Sequence, residues 1–304
     1  MNTEINARPY GVAPPDFTLP EATTLGPVHL QVSDLARSLE YYQRIIGLHA
    51  EETADDTAVL TAPGDGRALV VLHSRPGVTR ARRGAFGLYH FALLLRDRAA
   101  LGRFAAHLAA QHIQVGMADH LVSEALYLSD PDGLGIEIYA DRPRETWQHR
   151  NRELAMTTDP LDITSVIAAG RGETWDGAPK GTTMGHVHLH VGNLHDAEAF
   201  YHRALGYDKT VWSYPGALFL SAGGYHHHLG TNVWAPGPPP SSTQARLLEW
   251  VLAVPLPDDV VRAARSARDA GYAIDDTGGG VRLADPWGTT VHLRTSHNQD
   301  RRHA

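Results

Sequence analysis

The stretch SEALYLSDPDGLGIEIYADRP, residues 123–143, places a turn between two apolar segments. Residues 125–128 and 136–139 are rich in apolar and β-branched side chains, and DPDG at 130–133 is typical of a turn, so we predict a β-hairpin. Glu137 lies between two isoleucines and therefore faces the other side of its strand. Because a lone buried carboxylate is costly, Glu137 is either paired, a metal ligand, or an edge-strand residue in water.

The residues before the hairpin complete a small unit. Residues 88–93 alternate like a strand, and 97–110 have helical spacing, which gives the order βαβββ. An earlier unit begins with a strand at 28–32. Asp34 can cap a helix over 35–46 that Gly47 ends, and short strands follow near 59–60 and 68–72.

The whole arrangement recurs in the second half of the chain. GPVHLQVSDLARSLEYYQRIIGL at 26–48 is echoed by GHVHLHVGNLHDAEAFYHRALGY at 185–207, and DPDGLGIEI at 130–138 by DPWGTTVHL at 285–293. The offsets of 159 (185 − 26) and 155 (285 − 130) residues far exceed solenoid periods and indicate a duplicated domain. We therefore predict an α+β fold of four βαβββ units in two domains.

The chain of 304 residues is long enough for two domains with separate cores. We place a polar N-terminal arm at 1–24, the first domain at 25–142, a linker at 143–183, the second domain at 184–297 and a C-terminal tail at 298–304. The linker is expected to contain a short helix that starts near Asp159 and Pro160.

Composition excludes several classes of function. The net charge is −7, with 27 Lys+Arg against 34 Asp+Glu, so nucleic acid is not expected as a partner. No apolar run approaches a membrane span and no signal pattern is present, so we expect a cytoplasmic protein without a membrane partner. Cysteine is absent, which excludes disulfides and thiolate metal sites, whereas 19 histidines allow a metal site built from imidazole and carboxylate.

Three metal-capable residues occupy corresponding strand positions in the first half. His29 lies on the first strand of the first unit, His90 on the first strand of the second unit, and Glu137 on the last strand. Two imidazoles and one carboxylate leave three adjacent positions open, which is the ligand set of non-heme Fe(II) oxygen chemistry. A single strand histidine is more often structural, but three such residues together favour a metal site. Mn(II), Ni(II) and Zn(II) suit the same donors.

Three motifs carry a resemblance to a known family: HLQVSDLARSLEYY at 29–42, YHFALLL at 89–95 and LSDPDGLGIEIYADRP at 128–143. They resemble the vicinal oxygen chelate superfamily and, within it, the two-domain extradiol dioxygenases of the catechol 2,3-dioxygenase type. The resemblance spans about residues 25–297 and implies four βαβββ units forming two tandem vicinal-oxygen-chelate domains. It also implies iron ligands on the first, fifth and last strands of the catalytic domain, which carries over to His29, His90 and Glu137.

The resemblance implies further site residues. A Tyr on the strand before the ligand Glu corresponds to Tyr127, which would hydrogen-bond the substrate, and a His earlier in that loop corresponds to His120, our candidate acid–base group. The family also carries a His at the start of the fourth strand that helps in proton transfer. In the first half this place lies near Arg67, and His73 comes late on that strand.

A second, less favoured set lies in the second half. The same register presents His188, Glu249 and His292, and GGYHHHLG at 223–230 adds a fourth-strand histidine, taken as His228 with His227 as the alternative. These residues form either a four-ligand site of the glyoxalase I type or a vestigial barrel in which polar side chains bond to one another.

We therefore expect a metal-dependent extradiol dioxygenase with a role in the catabolism of aromatic compounds. A catechol-type aromatic and dioxygen are its expected substrates, and a homo-oligomer is left open. One alternative is a glyoxalase-type isomerase or lyase, which needs no oxygen. Another is a non-catalytic protein that binds an aromatic ligand and needs no metal.

Overall fold

The computed structural model describes residues 9–296 and contains two curled eight-stranded sheets built from four βαβββ units. The predicted α+β architecture is therefore confirmed. Residues 1–8 of the predicted arm, residue 297 and the predicted tail at 298–304 lie outside the described residues.

The first two units contain one helix each. The first unit comprises β1 (Thr24–Val32), α1 (Leu35–Tyr41), β2 (His49–Thr53), β3 (Thr57–Thr61) and β4 (Ala68–Ser74). The second comprises β5 (Gly87–Leu94), α2 (Arg98–Ala110), β6 (Gly116–Asp119), β7 (Ser123–Ser129) and β8 (Gly135–Asp141). Strands β7 and β8 pair antiparallel and form the predicted hairpin.

The remaining elements follow in the same order. Between the second and third units lie a 3₁₀ turn (Arg144–Thr146), β9 (His149–Arg150), β10 (Glu153–Leu154) and α3 (Ile163–Ala169). The third unit comprises β11 (Thr183–His190), α4 (Leu194–Ala197) with its π-helical continuation (Glu198–Ala204), β12 (Asp208–Val211), β13 (Ala217–Ser221) and β14 (Leu229–Asn232). The fourth comprises β15 (Arg246–Val254), α5 (Pro257–Asp269), β16 (Asp275–Asp276), β17 (Gly280–Ala284) and β18 (Thr290–Thr295).

Helix boundaries follow local capping chemistry. The Asp34 side chain accepts a hydrogen bond from the Arg37 N–H at the start of α1, and Gly47 ends this helical stretch at φ 81°, a conformation that glycine adopts without strain. The last turn of the stretch, Tyr42–Ile46, is π-helical. The linker helix starts at Ile163, later than predicted, because Asp159 pairs with Asp119 in an extended bridge.

The two sheets do not coincide with the two halves of the sequence. The first has the strand order β16-β17-β18-β15-β1-β4-β3-β2 and joins the first and fourth units; we call it the β1–β15 sheet. The second has the order β12-β13-β14-β11-β5-β8-β7-β6 and joins the second and third units; we call it the β5–β11 sheet. Both are centred on antiparallel pairs of first strands.

This pairing differs from the expected one, in which neighbouring units in the sequence share a barrel. The sequence repeat identifies each unit, but first strands of all four units carry similar apolar patterns. No local pattern therefore specifies which two pair. The sheets meet along their central strands, where β1 contacts β11 and β5 contacts β15.

Helices cover the outer faces of the sheets and bury the main core, leaving the concave faces for polar side chains. Helix α2 contacts β8, and α5 contacts β15, β17 and β18. The arm also contributes, because Leu19 is buried and its N–H donates to the carbonyl of Gly206. Within residues 9–296, no helix is long and apolar enough to cross a membrane.

Candidate metal centre

Three ligand-type side chains project from one concave face of the β5–β11 sheet. His90 lies on β5, Glu137 on the neighbouring strand β8 and His186 on the neighbouring strand β11. Ala92, two residues after His90 and on the same face, pairs with both Glu137 and His186. Its methyl group leaves the space between the three side chains open.

The three side chains converge on one carboxylate oxygen. Nε2 of His90 lies 3.0 Å from Oε2 of Glu137, and Nε2 of His186 lies 3.1 Å from the same oxygen. All three residues are at most 5% exposed. One ligand atom from each lies within 4.8 Å of the others, and within the described part of the chain this is the only such group.

The charge state of the centre suits a cation. Burial by itself raises the pKa of Glu137, but the contacts with His186 and His90 outweigh it and hold the pKa well below its usual value. Burial lowers the pKa of both His90 and His186. At neutral pH the centre therefore contains a carboxylate and two neutral imidazoles, the forms in which these groups bind metals.

One imidazole nitrogen and one carboxylate of the candidate centre lack the partners that buried polar groups normally have, and a bound metal ion would supply them. Within residues 9–296, the buried Nε2 of His90 makes no hydrogen bond, although it lies 3.0 Å from Oε2 of Glu137. Among residues 9–296, Glu137 has no Lys or Arg partner, so its buried charge is not compensated by a cationic side chain. A divalent cation bound by His90, Glu137 and His186 would remove both deficits.

The sequence led us to expect His29 beside His90 and Glu137, but the structure does not bring it there. His29 lies on β1 in the other sheet, where Nδ1 contacts Nε2 of His73 at 3.1 Å and Nε2 lies 3.9 Å from Glu249. The physical reason is the exchange of units between sheets described above. His186 of the third unit occupies the position that we had assigned to a histidine of the first.

The β1–β15 sheet carries the equivalent positions with different chemistry. His29 pairs with Glu249 as His188 pairs with His90, so Glu249 stands where His90 stands in the candidate metal centre. Residue Pro27, two before His29, stands where His186 stands two before His188. In the β1–β15 sheet, the ligand-type His186 is therefore replaced by a proline, whose side chain cannot bind a metal.

Arg282 completes the difference between the two sheets. It pairs with His292 as Tyr127 pairs with Glu137. Its guanidinium contacts the Glu249 carboxylate with both Nε and Nη2, at 2.5 and 3.2 Å. The chain thus supplies its own cation in this sheet, in contrast to the uncompensated Glu137.

The second predicted ligand set is divided between the sheets. His188 lies in the β5–β11 sheet, where its Nε2 accepts a hydrogen bond from the amide of Asn232 at 2.9 Å. His228 precedes β14 in the same sheet, and its Nδ1 accepts from the Ala222 N–H at 3.2 Å. Glu249 and His292 lie in the β1–β15 sheet, so the four do not converge.

The two predicted catalytic residues do come together. Nδ1 of His120 lies 2.6 Å from the Thr157 carbonyl oxygen and so carries the proton, which leaves Nε2 to accept from the Tyr127 hydroxyl at 2.5 Å. Burial and the Glu137 charge raise the pKa of Tyr127 well above its usual value, so the phenol stays protonated. Tyr127 lies directly opposite Glu137 on β7.

A cavity of about 580 Å³ opens on this centre. Its inner end is lined by the three ligand-type residues together with His120, Tyr127 and His227. Aromatic and thioether side chains make up much of the remaining lining: Tyr89, Met117, Met156, Tyr214, Phe219 and Trp234. Trp234 and Met117 are 46% and 45% exposed and so mark the mouth.

Comparison with known proteins agrees with this fold. The model of the family described as Glyoxalase/Bleomycin resistance protein/Dioxygenase superfamily matches residues 24–138 and 183–293. The chain belongs to this superfamily. The two matched segments cover the four βαβββ units.

Individual proteins resemble this superfamily member in sequence or in fold. It is 45% identical over 273 residues to "Catechol-2,3-dioxygenase" of Bacillus subtilis strain 168, covering 88% of this chain and 95% of the relative. Glyoxalase I from Zea mays has a similar fold, with a TM-score of 0.55, 18% identity and coverage of 91% and 94%. The cppA protein from Streptococcus pneumoniae TIGR4 gives a TM-score of 0.52 with 12% identity, covering 90% and 100%.

The sequence analysis did not identify His186 as a candidate ligand, and it did not place His227 beside the candidate metal centre. His186 belongs to the alternating run HVHLH at 186–190, in which the repeat drew attention to His188 instead. His227, weighed only as an alternative ligand, lies at the cavity wall with its ring centroid 4.1 Å from that of His186. Burial lowers the pKa of His227 well below its usual value, so the imidazole is neutral.

Proposed function

We propose that this protein is an extradiol dioxygenase that cleaves the ring of a catechol-type aromatic with a divalent iron ion. The observation that carries the proposal is the buried group of His90, Glu137 and His186 at the inner end of an aromatic cavity. The 45% identity to a protein named catechol-2,3-dioxygenase over nearly its whole length supports the same activity.

His90, Glu137 and His186 are the residues that would hold the iron. Iron bound there would supply contact points for both catechol oxygens and for dioxygen, because two imidazoles and a carboxylate leave three positions open. Nitrogen and oxygen donors also accept Mn(II), Ni(II) and Zn(II), and iron is proposed because the reaction needs a metal that exchanges electrons with oxygen.

The surrounding residues handle protons and hold the substrate. The Tyr127 hydroxyl lies beside Glu137 and donates its single proton to His120, which orients it, so its oxygen can accept a hydrogen bond from a substrate hydroxyl. His227, just before β14, occupies the fourth-strand place that the family resemblance assigns to a proton-transferring histidine. A neutral imidazole at the cavity wall can take the proton that a catechol hydroxyl releases.

The cavity favours catechols with an uncharged substituent. A volume of about 580 Å³ falls in the range of about 300–1,000 Å³ that holds drug-sized ligands, so there is room beyond a single ring. The cavity-lining residues in the described part of the chain include no Lys or Arg. A carboxylated catechol would therefore bury its charge without a partner and near Glu137.

The test is reconstitution under anaerobic conditions. Protein purified without air is loaded with Fe(II), mixed with a panel of catechols and exposed to oxygen. We expect oxygen uptake in step with a yellow ring-fission product, and we expect Glu137→Gln to abolish both. Folded, iron-loaded protein that takes up no oxygen with any catechol would contradict the proposal, and isomerisation of a thiohemiacetal without oxygen would favour the glyoxalase alternative.

A further inference from the structure

A buried hydrogen-bond chain leads away from the cavity behind His227. Nδ1 of His227 lies 2.7 Å from Nδ1 of His226, and Nε2 of His226 lies 2.9 Å from Oδ1 of Asp141. His226 is fully buried and His227 is 5% exposed, whereas the Asp141 side chain is 25% exposed. The hydrogen-bond chain of His227, His226 and Asp141 thus runs from the cavity to a carboxylate near the surface.

The donor and acceptor rules fix where the protons lie in this chain. An ionised carboxylate only accepts, so the contact with Asp141 requires the proton of His226 to be on Nε2. The Tyr225 hydroxyl also donates to Asp141 Oδ1, at 3.1 Å, consistent with an acceptor at that atom. With the proton of His226 on Nε2, its Nδ1 is the acceptor, and the contact between the two Nδ1 atoms requires His227 to be the donor.

This arrangement leaves Nε2 of His227 as an acceptor. Nε2 makes no hydrogen bond within the part of the chain that the structure describes, and His227 lines the cavity beside His186. Asp141 follows Glu137 by four residues on β8. The same strand therefore carries both the ligand-type carboxylate and the last residue of the hydrogen-bond chain.

We propose that Asp141 and His226 are positioning residues that hold His227 in the Nδ1–H tautomer, with the Nε2 lone pair turned to the substrate. The inference rests on the proposed dioxygenase function for the identity of that substrate. It assigns Asp141 and His226 a purpose beyond packing, because a tautomer fixed in advance removes the need to reorganise the imidazole when a catechol hydroxyl arrives.

The first test reads the tautomers directly and needs no turnover. Full-length protein with ¹⁵N-labelled histidine is studied by NMR without metal and with Zn(II) as a diamagnetic ion, and signals are assigned with His226→Asn and His227→Asn. We expect the proton on Nδ1 in His227 and on Nε2 in His226. A proton on Nε2 of His227 in the wild-type chain would overturn the inference.

The second test separates positioning from structure. His226→Phe removes both contacts, whereas His226→Asn keeps an amide oxygen near the position of Nδ1 that can accept from His227. With catechol, we expect kcat to fall about 10- to 100-fold in His226→Phe and Asp141→Asn, with iron content and the anaerobic dissociation constant of catechol unchanged. His226→Asn should recover most of the loss.

Tyr225→Phe is the matched control, because it removes a hydroxyl from Asp141 but leaves the three-residue chain intact. We expect its kcat within about threefold of the wild type. If His226→Phe and Asp141→Asn keep full kcat in an active enzyme, the inference fails while the proposed function stands. If the wild-type protein cleaves no catechol, it is the proposed function that fails.

Discussion

His186 and Glu137 are separated by 49 residues and belong to different halves of the sequence, yet His186 Nε2 lies 3.1 Å from Glu137 Oε2. This contact crosses the junction between β11 and the strands of the second unit. The candidate metal centre therefore depends on the pairing of β5 with β11. Neither half of the chain contains all three ligand-type residues.

Arg282 should matter for stability and not for the metal. Arg282→Met leaves the half-buried Glu249 without its two-atom partner, and we expect the free energy of unfolding to fall by about 1–3 kcal/mol. Urea unfolding measures the change. Arg96→Met, which removes an exposed ion pair with Asp97, is the control and should change stability by less than about 0.5 kcal/mol. Loss of iron binding in Arg282→Met would contradict our assignment of the metal to the β5–β11 sheet.

The contact between Glu249 and Arg282 should also make the free energy of unfolding decrease as the pH becomes acidic. Burial raises the pKa of Glu249, but His292 and Arg282 outweigh it and lower the pKa below its usual value. A carboxylate with a lowered pKa in the folded state stabilises the fold above its unfolded pKa of about 4.3, and the stabilisation is lost as pH falls below that value.

Glu249→Gln tests this pH dependence. We expect the variant to be less stable than the wild type at pH 7, with the difference shrinking as the pH falls from about 5 to about 3. Urea midpoints across that range give the answer. Glu51→Gln, at an exposed position on β2, should show no such trend, and a difference for Glu249→Gln that is constant with pH would refute the assignment.

Tyr127 should act on the chemical step. Tyr127→Phe keeps the ring in the cavity wall but removes the hydroxyl that contacts His120, so we expect kcat to fall about 10- to 100-fold with iron content unchanged. Steady-state oxygen uptake with catechol provides the measurement. A variant with full kcat would reduce Tyr127 to a packing residue.

Charge on the substrate should decide specificity. We expect kcat/KM for 4-ethylcatechol to exceed that for 3,4-dihydroxybenzoate by on the order of 100-fold, because none of the cavity-lining residues among 9–296 is a Lys or Arg. Met117→Arg at the mouth should narrow the ratio, and Met117→Gln, similar in size but uncharged, should not. An unchanged ratio in Met117→Arg would argue against an electrostatic origin.

The sequence predicted individual elements well because their determinants are local. The hairpin around 130–133, the cap at Asp34 and the glycine end at Gly47 all depend on residues within a few positions of one another. Strand alternation predicted that Glu137 faces away from Ile136 and Ile138, and the structure adds that this side of the strand is buried. The four-unit architecture followed from the internal repeat.

The pairing of units was not predictable in the same way. Which first strands form antiparallel pairs depends on contacts between segments more than 90 residues apart, such as His188 with His90 (188 − 90 = 98). Because His29 and His188 match in the repeat, the sequence directed attention to them and away from His186. His120 and Tyr127 were expected from the family resemblance, and they lie together because both belong to the same unit as Glu137.

The most direct test of the account is an anaerobic Fe(II) titration of the wild type, His186→Ala and His29→Ala. We predict one tightly bound iron per chain in the wild type and in His29→Ala, and binding at least about 100-fold weaker in His186→Ala. If His29→Ala loses iron while His186→Ala retains it, the metal centre proposed for the β5–β11 sheet is contradicted.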